Sequence, residues 1–166
     1  MMGSNTNPSD TAWKIHAAVV DWTGKVDTKA SFALTIETAL LAGVVTLSAK
    51  DRALAGLDGW AVVWYVLGVG LLISAVLSVV WVVRPRLRAS QLTAESPVNF
   101  VYFGHLRQLT PEQVLTHMKD SDVLPVLSKQ LVEMSKIAWT KHRLVQLSMT
   151  LAPVGVLFLA ISATYS

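Results

Sequence analysis

The chain has 166 residues, 52% of them apolar and only 15% charged, with a mean hydropathy of +0.48. Soluble domains carry about 25% charged residues, so lipid is expected to be part of the solvent here. Cysteine is absent, which excludes disulfides and thiolate metal sites.

The first seven residues read as a loose tail. "NPSDTAWKIHAAVVDWTGKVDTKAS" then opens with helix-start chemistry: Asn7 or Ser9 can cap, and Pro8 suits a first turn. Trp13, Ile15, Val19 and Val20 form an apolar side, with Gly24 as the weak point, and this helix can run on into the first apolar stretch. Crossing the hydrocarbon core takes about 20 mainly apolar residues. Three stretches qualify, at about residues 30–49, 59–83 and 144–165, and the second and third carry no charge. The first is not a signal peptide, because it starts about 30 residues in and is followed by "KDR" rather than a small-residue cleavage site.

Lysine and arginine placement predicts orientation. The loop "KDRALAGLD" between spans one and two holds Lys50 and Arg52, and the other 12 of the 14 basic residues precede span one or lie between spans two and three. The N-terminus and segment 84–143 are therefore expected in the cytoplasm, with the short loop and the C-terminus outside. Trp60, Trp64 and Trp81 bracket span two as an interfacial aromatic belt.

Segment 84–143 reads as helical. "SPVNFVYFGHL" is expected to form a turn or short helix start. "LTPEQVLTHM" places Thr110 as cap, Pro111 at the first helical position and Glu112 and Gln113 in the first turn. In "DSDVLPVLSKQLVEMSKIAWTKHRLVQ", Leu124, Leu127, Leu131, Met134 and Ala138 recur at three-four spacing, one face of a helix capped by Asp122 and continuing into span three. About 60 residues are near the lower limit for an independent core, so this segment is expected to pack on the N-terminal helix and on other subunits. The expected fold is thus all-α: a three-span membrane bundle with a small cytoplasmic helical part, residues 8–166 forming one domain.

No phosphate-binding loop, dinucleotide fingerprint, zinc-protease motif or nucleophile elbow is present. The four histidines, His16, His105, His117 and His142, show no metal-ligand spacing. Asp120 and Asp122 sit where capping explains them better than acid–base chemistry. No catalytic residue, cofactor, metal or nucleic-acid partner is expected.

Four short motifs nonetheless occur in order: "DTKAS" from Asp27 to Ser31, "RPRL" from Arg84 to Leu87, "VYFGHL" at residues 101–106, and "QLVEMSKIAWTKHRLV" from Gln130 to Val145. Together they resemble the transmembrane effector family of the Pycsar antiphage systems over about residues 20–165, with Met134-Ser135 standing where the family has Leu-Ser. The resemblance implies a companion nucleotide cyclase that makes cyclic UMP or cyclic CMP on infection. It further implies a membrane effector that answers by impairing inner-membrane integrity. No cyclic-nucleotide-binding β-barrel is recognisable, so any nucleotide would be sensed by the helical cytoplasmic part, across subunits of a homo-oligomer.

Candidate residues follow. Glu37 lies eight residues past Lys29, about 12 Å along a helix axis, and no basic residue of spans two or three can neutralise it. Two readings stand: a neutral carboxyl bonded to a serine or threonine of a neighbouring helix, or a ring of Glu37 residues lining a polar path in an oligomer. Asp27 and Lys29 are membrane-edge candidates, as anchors or an ion pair. Arg84, Arg86 and Arg88 suit anionic lipid or a nucleotide phosphate. Tyr102 could stack a base. Arg84, Arg86, Tyr102, Gln130 and Lys141 make up the candidate ligand set, with solvation and packing as the plainer account. Gly68, Gly70 and Gly155 can allow close helix contact, and Pro153 deprives one carbonyl of its helical partner. The rival readings are a non-enzymatic anchor or adaptor recruiting a partner through segment 84–143 and an enzyme with an unrecognised site.

Overall fold

The computed structural model describes residues 7–85, 95–96 and 98–165. Its described residues form five helices: α1 (Pro8–Leu47), α2 (Gly59–Val83), α3 (Phe103–Leu106), α4 (Pro111–Asp120) and α5 (Val123–Thr164). Asn7 caps α1, its Oδ1 accepting from the Ser9 amide at 3.1 Å. The helix then runs through Gly24 without a break, and α5 likewise continues unbroken into the third span. The expected tail at residues 1–7 lies, apart from Asn7, outside the described residues.

The chain divides into two compact units, one of Gly24–Arg84 with Thr140–Ser166 and one of Met1–Thr23 with Pro85–Trp139. The first is the membrane unit. Helices α1, α2 and α5 are each long and apolar enough to cross a bilayer, and large apolar side chains such as Phe32, Val45, Val66, Leu77 and Leu157 face outward. In water such a surface would be untenable; against lipid tails it is the expected one.

Two apolar clusters hold this unit together. Val26, Ala30, Ala33, Val79, Val82 and Val145 form one, and Val44, Leu54, Leu72, Ala75, Ala152 and Leu159 the other. With lipid as competing solvent, apolar burial drives little association, so close packing and interhelical hydrogen bonds carry the energy. Both are present. A Cβ on Gly68 would come 2.9 Å from the Gly155 carbonyl oxygen, and one on Gly155 2.9 Å from that of Gly68. Here α2 and α5 approach backbone to backbone, as expected for these two glycines, whereas Gly70 faces open space. Ser162 Oγ donates to the Ala61 carbonyl at 2.8 Å, and Trp64 packs edge-on against Phe158 with centroids 5.0 Å apart. In the loop between α1 and α2, Gly56 takes a positive φ of 67°, a conformation natural to glycine.

The second unit contains α3, α4 and the first turns of α1 and α5. Thr110 forms a full capping box: its Oγ1 accepts from the Gln113 amide at 3.3 Å, and Gln113 Oε1 accepts from the Thr110 amide at 2.9 Å. Glu112 in the same turn has its carboxyl held below the ordinary range by its own backbone amide and by the Thr110 hydroxyl. Asp122 caps α5, accepting from the Leu124 amide at 3.0 Å. Phe100, only 6% exposed, stacks on His117 with ring centroids 5.2 Å apart.

Candidate functional sites

The membrane unit carries two polar contacts on an otherwise apolar seam between α1 and α5. At the edge of the spans, Lys141 Nζ donates to both Asp27 oxygens, at 2.6 and 2.8 Å. The Asp27 side chain keeps 41% exposure while that of Lys141 keeps 12%. Solvent therefore screens the pair in part, and its worth sits near the top of the range for exposed pairs, about 1 kcal/mol. A double-mutant cycle through Asp27→Ala and Lys141→Ala, read by thermal unfolding in detergent, should return a coupling of about that size; additive single effects would show that the pair contributes nothing. Lys29, the other membrane-edge candidate, is exposed.

Ten residues beyond Asp27, Glu37 is 2% exposed, and its Oε1 accepts from Ser148 Oγ. The other oxygen, Oε2, is buried with no hydrogen-bond partner among the described residues. Ser148 is itself fully buried. Two helices thus meet through a carboxyl whose bonding capacity is half used, at a depth where an unused polar atom is costly.

The other unit holds a narrow cleft in which Glu95, Asn99, Tyr102, His105, Lys129, Gln130 and Glu133 join the apolar Val101 and Val126. His105 is 3% exposed, and neither ring nitrogen has a well-formed hydrogen bond to the described residues. Its Nε2 lies 3.3 Å from Glu95 Oε2, and the opposite Glu95 oxygen meets Lys129 Nζ at 3.4 Å. Glu133 is engaged by Lys136 at 2.8 Å. The Tyr102 ring lies edge-on to His105, centroids 5.4 Å apart, and fills the space where a Cβ on Gly104 would stand. Free room in the cleft is only about 10 Å³, enough for about one water.

Of the expected ligand residues, Tyr102 and Gln130 come together in this cleft. Lys141 is engaged by Asp27, and Arg84 lies over the Trp81 ring at 5.7 Å from its centroid. Arg86 and Arg88 lie outside the described residues. Ser148, His105, Glu95 and Lys129 escaped the sequence reading. Ser148 was findable, because it continues the three-four spacing that begins at Leu124. The others had no comparable signal, being brought together only by the turn around Tyr102.

Residues 11–166 match the Pycsar effector protein domain. The chain belongs to this family. No curated protein and no solved structure was found to match it. This Pycsar effector is a multi-pass membrane protein of antiviral defence, and the motifs now have physical content. In "DTKAS", Asp27 is the ion-pair partner of Lys141 from the last motif, and Ala30, fully buried, lets α1 pack closely. In "VYFGHL", Gly104 leaves room for the Tyr102 ring, and His105 is the buried imidazole of the cleft.

Proposed function

We propose that this effector is a non-enzymatic homo-oligomer of the bacterial inner membrane, N-terminus cytoplasmic, with residues 8–166 acting as one domain. A companion cyclase supplies cyclic UMP or cyclic CMP, and the effector responds by letting the membrane lose integrity. The observation that carries this reading is the half-satisfied Glu37 carboxyl at mid-span. A structural anchor has no use for it, and intramembrane carboxyls mark ion or proton paths by default. In an oligomer, a rotation of α1 that parts Glu37 from Ser148 would turn a ring of carboxylates toward a common axis.

The cleft around His105 suits the sensing end. Gln130 and Asn99 offer amide donors and acceptors, which match the edge of a pyrimidine; Tyr102 offers a stacking face, and Glu95 an acceptor for a ribose hydroxyl. Lys129, at the cleft beside Glu95, is the phosphate-directed cation of this reading, since Arg84 and Lys141 belong to the membrane unit. Because the cleft is shut, a nucleotide would bind only a rearranged form. Linkage then requires tighter binding to the active state than to the resting one, by about 10⁴-fold for a near-complete switch.

Cells producing the chain together with a pyrimidine nucleotide cyclase should lose membrane potential, while cells producing either alone keep it. Retained potential in the pair, alongside a stable complex with another protein, would replace this reading with that of an adaptor. In the purified protein, Gln130→Ala and Tyr102→Ala should each weaken cyclic UMP or cyclic CMP binding by about tenfold. Unchanged binding in both variants would remove the cleft from the account.

A further inference from the structure

The same membrane unit contains an apolar cavity of about 530 Å³ on the loop side of Glu37. Ile36, Leu40 and Gly43 of α1 form one wall, Val156 and Ala160 of α5 the other, and Leu72 of α2 the floor. Every side chain lining it is apolar. A Cβ on Gly43 would meet nothing within 4 Å, so α1 and α5 stand apart here although they touch at Glu37 and Ser148.

We propose that this cavity is a binding site for one acyl chain of a membrane phospholipid, lodged between α1 and α5. Packed interiors leave few voids larger than a water, so a gap of this size between spanning helices is filled by the surrounding medium. At that depth the medium is hydrocarbon. The volume falls in the range of small-molecule sites, and its wholly apolar side chains offer hydrogen bonds to no polar occupant. A single alkyl chain is slim enough to enter from the side, where Ile36 and Ala39 are exposed. No polar side chain lines the site, so selectivity resides in chain shape and not in the headgroup. The seated chain acts as a spacer, holding α1 off α5 immediately beside the buried carboxyl. The proposal rests on membrane insertion alone and is independent of the nucleotide response.

The test uses the full chain in vesicles of phosphatidylethanolamine and phosphatidylglycerol, doped with a phosphatidylglycerol carrying a diazirine midway along one acyl chain. After irradiation, adducts are mapped by peptide mass spectrometry. Labelling at Leu40 and Val156 should exceed labelling at Leu77, an exposed position of α2, by about tenfold. Gly43→Leu, which fills the cavity, should remove the excess at Val156 and leave Leu77 unchanged. Equal labelling at Leu40, Val156 and Leu77 in the wild type would show only bulk lipid and overturn the site. So would copy-to-copy crosslinks at the cavity walls in protein grown with a diazirine-bearing leucine analogue. The wild-type comparison decides the matter even if Gly43→Leu fails to insert.

Discussion

Gly155→Leu should destabilise the membrane unit by about 3 kcal/mol, the upper end for overpacking a tight contact. The first added carbon would stand 2.9 Å from the Gly68 carbonyl oxygen, 3.1 Å from Leu72 Cγ and 3.2 Å from Leu71 Cβ. The carbonyl is backbone and cannot swing away, so α2 and α5 must separate. That separation would also stretch the bond from Ser162 to the Ala61 carbonyl. Gly70→Leu is the matched control, because a Cβ there meets nothing and the new side chain projects into lipid. Thermal unfolding in detergent, followed by helical circular dichroism, measures both. A large loss for Gly155→Leu with little change for Gly70→Leu is expected; equal losses would mean that the helices do not cross at these glycines.

Glu37→Leu should abolish signal-driven permeability, cutting ion flux by about tenfold or more, while costing little stability. The released Ser148 hydroxyl can turn back to its own helix and bond a carbonyl one turn earlier. An interhelical hydrogen bond in a membrane is worth about 0.6 kcal/mol on average. The reverse change is harsher. Ser148→Val strands the carboxyl with neither oxygen partnered among the described residues, which costs about 2–3 kcal/mol. Glu37→Gln separates charge from bonding, since its amide oxygen still accepts from Ser148. Flux should fall with Gln as it does with Leu, while stability stays at the wild-type level. Full flux through Glu37→Gln would show that the carboxylate does not line the path.

The membrane bundle was legible because its signals are local and periodic. Span two was read at residues 59–83, where α2 lies. The spacing from Leu124 to Ala138 continues through Lys141, Val145, Ser148, Ala152, Gly155, Leu159 and Ser162, a run of threes and fours that keeps one face of α5 turned inward. On α1, Val26, Ala30, Ala33, Glu37 and Val44 repeat the pattern. A repeat near 3.5 residues is the mark of helices packed at a shallow angle. Glu37 therefore belongs to the seam by position and departs from it only by chemistry. A serine or threonine partner on a neighbouring helix is what the sequence predicts, and Ser148 is that partner; which hydroxyl it is depends on how α1 and α5 pack.

The polar cleft was less legible for a different reason. Tyr102 and Gln130 stood out as motif members, but their convergence with Glu95 and His105 depends on a turn between distant segments. No periodicity encodes such a turn. Gly104 could have hinted at it, since a glycine directly after two aromatics suggests that a ring needs its space. The caps at Thr110 and Asp122 are where the sequence predicts them, and of the two candidates Asn7 and Ser9 the first is the cap of α1, because capping is decided by two or three adjacent residues.

The most direct measurement of the central claim is dye release from vesicles. The purified full chain would be reconstituted into phosphatidylethanolamine and phosphatidylglycerol vesicles loaded with a self-quenching dye, then given cyclic UMP, cyclic CMP or cyclic AMP. Release should follow one of the two pyrimidine nucleotides and not cyclic AMP, and should disappear with Glu37→Leu. Vesicles that stay sealed under both pyrimidine nucleotides, with the protein shown to be inserted, would contradict the account.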